Sequence, residues 1–549
     1  MFETLRLFTN IKKIYTQAYT GDKLLRKFDQ NITEGILFTD QYELVMSQLY
    51  FNLGLQDKHV VFDHFFRKYP DYGSHKAGYC INAGLEWFID WMQNARFRNE
   101  ELEFLRNHKN SKGERIFKDD FLNWLKSNGN FQSLTIRAVP EGRCVHPNEP
   151  LTIVEGPLVV AQIVETALLN QINFQTLIAT KASRIKEICR NQPVLEFGAR
   201  RAQDRGAIAA VRGALIGGAD FSSNAGISYL LGYPPKGTHA HSMVQLFLSL
   251  GMSELEAFQA FADLYPDDCI LLVDTINTLE SGIPNAIKTF EKLKAKGHAP
   301  QGIRLDSGDL AYLSVKAVKM LNQAGFTEAR VVLSNELDEM NIWQIITQIG
   351  EEAPKEGLTP DEIITRLVYG VGTRLVTSEG EAALGGVYKL VAVENNGWIP
   401  VIKISESVEK IPNPGQKELF RIYDNSGKAN ADLVTLKGEN PGQLNQIQLI
   451  HHSDQNKSRT INRKDYPEIE SLLQTIVENG NTKYEFPDIE EIRKTRDMDL
   501  RRLDAGVRRL INPHTYHVSI SPGMFLEKQK LQEEMKSHSA PPYKGGIPL

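Results

Sequence analysis

The strongest constraint on the fold is a repeat, between residues 164 and 392, of short apolar runs that are each followed by a longer amphipathic run. The short runs predict buried strands, and the longer runs predict helices that cover them. Strands that alternate with helices pair in parallel, because each helix returns the chain to the same end of the sheet. The sequence therefore predicts an α/β fold with a parallel sheet, whose strands are expected at 194–197, 270–274, 302–306, 331–334 and 367–372.

The regions before and after these alternating runs differ from them in the pattern of apolar and polar residues. Before it, strand-like runs separated by Gly and Pro predict a mixed α/β domain with a largely antiparallel sheet. After it, the chain is more polar and contains turn-like segments. The predicted domains are 1–163, 164–392 and 393–549, and the tail from Glu527 to Leu549 is expected to be disordered.

Charge and cysteine content exclude several classes of protein. The chain carries 63 Lys and Arg against 68 Asp and Glu, a net charge of −5, which disfavours a nucleic-acid-binding protein. No apolar run approaches the roughly 20 residues that a membrane helix needs, and the N-terminus lacks the pattern of a secretory signal. The four cysteines form no CxxC pair. This predicts neither a disulfide framework nor a zinc ribbon, and it favours the reducing environment of the cytoplasm.

Polar side chains follow each predicted strand at its carboxyl end, where the active sites of parallel α/β folds lie. Arg304 and Asp306 are two positions apart on one strand, so their side chains share a face. A structural ion pair at the mouth of the sheet is the alternative explanation for this pair. Because the pattern recurs at five strands, it favours a functional site. The residues in such positions are Glu196, Arg200, Arg201, Asp274, Thr275, Arg304, Asp306, Ser334, Asn335, Glu336, Gly370, Gly372 and Thr373.

Two glycine segments and one histidine segment complete the set of candidate motifs. Gly372 and the pair Gly385-Gly386 offer backbone N–H groups that suit an anion, and tight turns are the alternative explanation. Neither segment fits a Walker A or GxGxxG pattern. His239 and His241 lie two positions apart, but no third His or Cys is close enough in sequence to predict a metal site.

Taken together, these segments resemble the nicotinate phosphoribosyltransferase family. The resemblance runs from about Leu37 to Lys530, and several motifs in one order are more specific than any single motif. The matching segments are 39–43 (TDQYE), 65–68 (FFRK), 83–86 (AGLE), 196–201 (EFGARR), 237–241 (GTHAH), 304–310 (RLDSGDL), 369–373 (YGVGT), 384–390 (LGGVYKL) and 512–518 (NPHTYHV).

The resemblance implies a fold, an assembly and a reaction. The fold is an N-terminal mixed α/β domain packed on an irregular α/β barrel, with the C-terminal region partly completing the N-terminal domain. The assembly is a homodimer with active sites near the subunit interface. The reaction joins nicotinate to phosphoribosyl pyrophosphate and yields nicotinate mononucleotide and pyrophosphate. ATP hydrolysis drives it through a phosphohistidine, and Mg²⁺ serves the pyrophosphate.

The resemblance also implies roles for individual residues. His241 is the histidine that is phosphorylated, Arg304 binds the nicotinate carboxylate, and Tyr42 stacks on the pyridine ring from the partner subunit. An ordinary half-buried tyrosine is the alternative for Tyr42. Asp274 and Asp306 are implied to bind the ribose hydroxyls and Mg²⁺, directly or through water, with a salt bridge to Arg304 as the alternative. Arg200 and Arg201 are implied to contact phosphate, Gly372 and Thr373 to bind the 5′-phosphate, and Thr238 to line the nicotinate pocket. The remaining implied substrate-binding residues are Ser222, Asn335, Gly385 and Gly386.

Three rival functions stay open at the level of the sequence. A nicotinamide phosphoribosyltransferase favours an Asp near the amide, where this chain has Ser222 and Ser223 with Asp220 close by. A catalytically dead nicotinate-sensing protein is disfavoured because the reactive motifs are retained. An unrelated barrel lyase or isomerase would show a Schiff-base lysine or a metal cluster at the strand ends, and the sequence shows neither. The segment 71–76 departs from the family pattern and leaves the edge of the pocket undefined.

Overall fold

The computed structural model describes residues 33–403, 410–454 and 456–539. Apolar runs of the N-terminal part form strands, and its amphipathic runs form helices with one buried face. Its strands are β1 (His59–Phe66), β2 (Cys80–Ile81), β3 (Thr135–Ala138), β4 (Cys144–Val145) and β5 (Thr152–Pro157). Its helices are α1 (Gln41–Asn52), α2 (Leu85–Asn94), α3 (Asn99–Asn107), α4 (Asp119–Asn128), α5 (Leu158–Ile163) and α6 (Glu165–Ile188).

The middle of the chain alternates strands and helices, as the sequence predicts. The strands are β6 (Val194–Glu196), β7 (Phe221–Ser222), β8 (Ile270–Leu272), β9 (Gly302–Leu305), β10 (Arg330–Leu333) and β11 (Leu367–Val371). The helices are α7 (Asp204–Gly217), α8 (Ala225–Leu231), α9 (His241–Ser249), α10 (Glu254–Leu264), α11 (Ile283–Ala295), α12 (Leu310–Gln323), α13 (Glu339–Glu352), α14 (Pro360–Ile364) and α15 (Thr373–Val376).

The remainder of the chain is mainly β. The strands are β12 (Gly386–Glu394), β13 (Trp398–Pro400), β14 (Lys417–Tyr423), β15 (Ala429–Leu436), β16 (Gln446–His451), β17 (Ser458–Asn462), β18 (Glu468–Ser471), β19 (Gln474–Glu478), β20 (Asn481–Thr482) and β21 (Val518–Ile520). Two longer helices complete the fold, α16 (Ile489–Arg502) and α17 (Pro522–Ser539). No helix in the described ranges is long and apolar enough to cross a membrane.

The six strands β6 to β11 form a parallel half-barrel, which confirms the predicted α/β class. Their order is β7-β6-β11-β10-β9-β8, so the sheet follows chain order around the barrel and stays open between β7 and β8. Side chains alternate between the two faces. Ile303 and Leu305 point into the apolar core under the helices, whereas Arg304 between them points to the inner face.

The N-terminal sheet contains strands from three distant parts of the chain. Its order is β13-β12-β1-β5-β3-β19-β20, with antiparallel pairing throughout. The strand β12 lies at the end of the predicted barrel region, yet it pairs with β1. The strands β19 and β20 come from the C-terminal region and extend the same sheet.

A second sheet and a pair of helices make up the rest of the C-terminal region. The sheet has the order β17-β16-β21-β15-β14-β18. The expected disorder of the tail is wrong for residues 527–539, because α17 continues to Ser539. Tertiary contacts explain this helix, since Met524 is fully buried and the buried Lys528 donates to the carbonyl of Ile411 at 3.1 Å. Residues 540–549 lie outside the described residues.

The unusual segment 71–76 packs against the barrel. His75 Nε2 lies 2.7 Å from Glu339 Oε1, and Lys181 Nζ lies 2.9 Å from Glu339 Oε2. All three side chains are buried. Glu339 begins α13, so the segment contacts the start of the helix that follows the loop of Asn335.

Candidate functional site

Arg304 connects three loops at the carboxyl ends of the barrel strands. Its Nη2 donates to Asp306 Oδ1 at 3.1 Å, its Nη1 to Thr238 Oγ1 at 3.2 Å, and its Nε to Ser334 Oγ at 2.9 Å. The partners lie in the loop after β9, in the segment before α9 and in the loop after β10. The guanidinium is therefore held in one orientation, and the predicted shared face of Arg304 and Asp306 is confirmed.

The guanidinium of Arg304 also lies over an aromatic ring. Its Cζ is 5.4 Å from the centroid of Phe197, the residue after β6. Gly370 on the neighbouring strand lies against this ring, and a Cβ there would come within 2.6 Å of it. The site thus pairs a cation with a flat apolar surface, an arrangement that suits a planar ligand carrying a negative charge. Phe197 belongs to the EFGARR motif, but the sequence alone assigned it no role.

Asp274 has one engaged and one free carboxylate oxygen. Oδ2 accepts from the backbone N–H of Asp306 at 2.9 Å and from Ser307 Oγ at 2.6 Å. Oδ1 is buried and has no hydrogen-bond partner. Asp274 and Asp306 therefore bring two carboxylates to one edge, and the free oxygen of a side chain that is only 1% exposed fits a cation or a ligand hydroxyl.

His241 faces these two carboxylates. Its Nε2 lies 3.7 Å from Asp274 Oδ1 and 3.8 Å from Asp306 Oδ2, and its Nδ1 lies 3.0 Å from Thr275 Oγ1. The residue is the first of α9, and its side chain is 37% exposed. The contact with Thr275 orients the ring, so that Nε2 points toward the acidic edge while the ring stays accessible.

His239 has a different environment from His241. It is buried, and its Nε2 accepts from the backbone N–H of Leu272 at 3.0 Å. Burial is the main cause that lowers the pKa of His239 to about 4, and nearby Arg304 acts in the same direction. The ring is also in contact with Phe261, at 5.1 Å between centroids. His239 is thus a neutral structural histidine, consistent with its having no predicted role.

The loop after β6 carries Arg200 and Arg201 in a short turn, Ala199–Arg201. Both arginines are exposed, and in the described part of the chain neither guanidinium has a hydrogen-bond or ion-pair partner. A Cβ at Gly198 would lie 2.5 Å from the carbonyl oxygen of Gly372, so this loop touches the loop after β11. The structure thereby places two free cations beside the predicted phosphate loop.

The loops after β10 and β11 are held together. Asn335 and Glu336 have φ values of 97° and 50°, in the left-handed region that non-glycine residues rarely adopt. Arg374 in α15 donates to Asp338 Oδ2 at 2.6 Å, which links the loop of Asn335 to the helix that begins at Thr373. Strain of this kind is common where a loop is shaped for a ligand.

Ser222 takes part in a buried network. Its hydroxyl donates to Glu196 Oε2 at 2.8 Å and accepts from the backbone N–H of Asn224 at 3.2 Å. Burial raises the pKa of Glu196. The neighbouring Asp220 is engaged as well, with Lys186 Nζ at 2.7 Å from its carboxylate and Arg493 at 3.0 Å. The substrate-binding role of Ser222 stays a prediction.

Three predicted site residues lie in the N-terminal domain. Gly386 begins β12, pairs with Phe66, and lies so close to Asn173 that a Cβ would clash with its side-chain amide. Gly385 has open space around its Cα. Tyr42 lies on α1 and is 47% exposed. In the described ranges, Tyr42 makes no hydrogen bond or ring contact with the barrel-mouth residues.

A separate buried cluster has metal-ligating residue types. The potential ligand atoms of His146, Glu149 and Asp432 lie within 4.8 Å of one another. Arg421 donates to both oxygens of Asp432, at 2.9 and 2.7 Å, and Tyr516 stacks on His146 with 3.9 Å between ring centroids. Because a cation already neutralises Asp432, we assign no metal to this cluster.

Comparisons with known proteins agree with this geometry. A model of the nicotinate phosphoribosyltransferase N-terminal domain matches residues 37–173, and one of the C-terminal domain matches 416–528. The nicotinate phosphoribosyltransferase of Bacillus subtilis is 38% identical over 504 residues, covering 91% of this chain and 96% of that protein. That of Caenorhabditis elegans is 32% identical, covering 89% and 92%. The crystal structure of human nicotinic acid phosphoribosyltransferase superposes with a TM-score of 0.72 at 27% identity, covering 90% and 99%.

Proposed function

This chain belongs to the nicotinate phosphoribosyltransferase family of enzymes, and on that premise we propose that it joins nicotinate to phosphoribosyl pyrophosphate. The products are nicotinate mononucleotide and pyrophosphate, which places the reaction in NAD biosynthesis. The observation that carries the proposal is the joint position of Arg304, Asp306, Asp274 and His241 at one end of the barrel.

This reaction needs no nucleophilic side chain from the protein. The pyridine nitrogen is the nucleophile, and the ribose C1 gains positive character as pyrophosphate leaves. Catalysis then rests on holding the two reactants in line and on stabilising the leaving charge. Arg304 above Phe197 suits the carboxylate and ring of nicotinate, and the unpaired Arg200 and Arg201 suit the phosphates.

Mg²⁺ fits the acidic edge formed by Asp274 and Asp306. The supporting observation is Oδ1 of Asp274, which is buried without a hydrogen-bond partner, since burying such an oxygen is costly unless a cation or a donor binds it. A bound Mg²⁺ supplies charge neutralisation for the pyrophosphate leaving group. The two aspartates would hold it, directly or through water.

ATP coupling through His241 is the next part of the proposal. An accessible imidazole whose Nδ1 is oriented by Thr275 leaves Nε2 free to accept a phosphoryl group. The phosphohistidine adds negative charge beside Asp274 and Asp306, which favours a cation at that edge. His241 acts on affinity in this scheme and does not take part in the transfer to ribose.

We further propose a homodimer in which Tyr42 completes the site of the partner subunit. Tyr42, Val45, Leu49 and Leu53 are exposed and lie on one face of α1 or just after it. A second exposed apolar region lies around α9, where Leu250 is 67% exposed. Two exposed apolar faces on one chain favour association with another copy. A cytoplasmic location is proposed because all four cysteines are free thiols.

One assay tests the proposed activity and its rivals. Purified protein is incubated with phosphoribosyl pyrophosphate and Mg²⁺, with radiolabelled nicotinate or nicotinamide, and with or without ATP. Mononucleotide formed from nicotinate, and increased by ATP, is the expected result. Preference for nicotinamide would make the chain a nicotinamide phosphoribosyltransferase, and binding without turnover would make it a sensor. The ion pairs of Asp220 with Lys186 and Arg493 favour nicotinate, because they already engage the carboxylate that an amide would need as an acceptor.

A further inference from the structure

A cavity lined by arginines lies between α6 and the segment that follows α16. Its volume is about 340 Å³. Four of its lining side chains are charged, and three of these are guanidiniums: Arg184, Glu187, Arg508 and Arg509. None of the lining residues belongs to the barrel-mouth site. The cavity therefore carries an excess of positive charge.

The cations of this cavity are only partly neutralised. Glu187 accepts from Arg508 Nη1 at 2.6 Å and from the hydroxyl of Tyr79 at 3.2 Å, so its charge is already shared. Arg509 is exposed, and it has no ion-pair partner among residues 33–403, 410–454 and 456–539. Arg508 Nε is buried without a hydrogen-bond partner.

Arg184 is the buried member of the group. It is 3% exposed, and its Nη2 donates to the carbonyl of Leu510 at 2.9 Å. Its Nε has no hydrogen-bond partner and lies 3.8 Å from Glu339 Oε1. Glu339 already binds His75 and Lys181 at shorter distances, so it cannot fully balance Arg184. The charge of this buried guanidinium is therefore only partly balanced, by one carboxylate that Lys181 also contacts.

We propose that this cavity binds a phosphate-class anion at a site separate from the barrel mouth. Guanidiniums bind tetrahedral oxyanions through paired N–H groups, and three of them around one space match a doubly charged phosphate. The volume leaves room for inorganic phosphate, pyrophosphate or the phosphate of a small ester. Through Arg184 and Glu339, a bound anion would act on the loop that carries Asn335.

Hydrogen exchange measured by mass spectrometry tests the proposal on the full chain. Inorganic phosphate, pyrophosphate and glycerol phosphate are each titrated against chloride at matched ionic strength. Protection of a peptide covering 505–510 is expected in the wild type. In Arg509→Ala the half-saturating concentration for that protection should rise about tenfold, because an unpaired cation facing the anion is lost.

The control variant is Arg501→Ala, which removes an exposed arginine outside the cavity. It should bind phosphate as the wild type does, and Arg509→Lys should retain part of the affinity. The relative effects of phosphate and its ester distinguish free phosphate from a phosphorylated metabolite. Equal protection in Arg509→Ala and the wild type, or protection confined to the barrel-mouth loops, would overturn the proposal.

Discussion

The imidazole of His239 accepts a hydrogen bond from the backbone N–H of Leu272, with 3.0 Å between nitrogen atoms. Leu272 ends β8, the strand at the open edge of the barrel sheet, which pairs with β9 on one side and has no neighbouring strand on the other. The histidine therefore takes the place of a strand at this edge. It also joins the segment of Thr238 and His241 to the barrel wall, which separates its structural role from the chemical role proposed for His241.

The burial of His239, which lowers its pKa to about 4, predicts a specific loss of stability in acid. The unfolded chain protonates His239 below its ordinary pKa of 6.5, whereas the folded chain resists protonation until pH 4. Stability is therefore fully present above pH 6.5 and falls between pH 6.5 and 4, by about 2 kcal/mol from pH 7 to pH 5. In His239→Gln the amide oxygen accepts the same bond without titrating, so urea midpoints of the variant should change less with pH. Identical pH profiles would contradict this assignment.

Arg304→Ala should raise the KM for nicotinate. Losing a charge-assisted contact to the carboxylate costs about 2–5 kcal/mol of binding free energy. The variant also removes the cation that lies over the ring of Phe197. Steady-state kinetics with varied nicotinate provide the measurement. Arg330→Ala, at the exposed start of the adjacent strand, is the matched control and should behave as the wild type. An unchanged KM in Arg304→Ala would move the carboxylate to another group.

His241→Ala should abolish ATP hydrolysis and the gain in affinity that ATP confers, while some ATP-independent transfer remains. The reason is that this imidazole alone faces Asp274 and Asp306 in the described site. Incubation with γ-labelled ATP, alkaline handling and peptide mapping locate the label. The control is His239→Gln, which should keep the label. A label that survives in His241→Ala but disappears in His239→Gln would reverse the two roles.

Mixing two inactive variants tests the proposed dimer. At a nicotinate concentration far below the raised KM, Tyr42→Ala and Arg304→Ala should each be nearly inactive. If Tyr42 acts in the partner's site, one of the two sites in a mixed dimer is intact. An equal mixture, after subunit exchange, should then recover about a quarter of the wild-type activity. No recovery despite proven exchange would place both residues in the same subunit's site, and a fully active monomer in sedimentation would remove the dimer altogether.

Local patterns predicted the barrel and much of its site. The alternation of apolar and amphipathic runs determines which segments pair in parallel, and strand periodicity places Arg304 and Asp306 on one face. Such local patterns do not predict contacts between side chains that are distant in sequence. Nothing near Ser222 in sequence indicates that Glu196 engages its hydroxyl, and the position of Phe197 under Arg304 depends on two different strands. The helix at the C-terminus likewise depends on burial of Met524 against distant strands.

The composition of the N-terminal sheet has a consequence for the order of synthesis and folding. Its strand β3 pairs with β19, which emerges from the ribosome roughly 340 residues later, and β1 pairs with β12 across the whole barrel. Until those strands appear, the sheet has open edges that can pair with other chains. The barrel sheet is also completed late, because β11, the strand that joins β6 to β10, is its last strand in the chain. We therefore expect a nascent chain stopped before residue 474 to depend on chaperones, and release of the last strands to end that dependence.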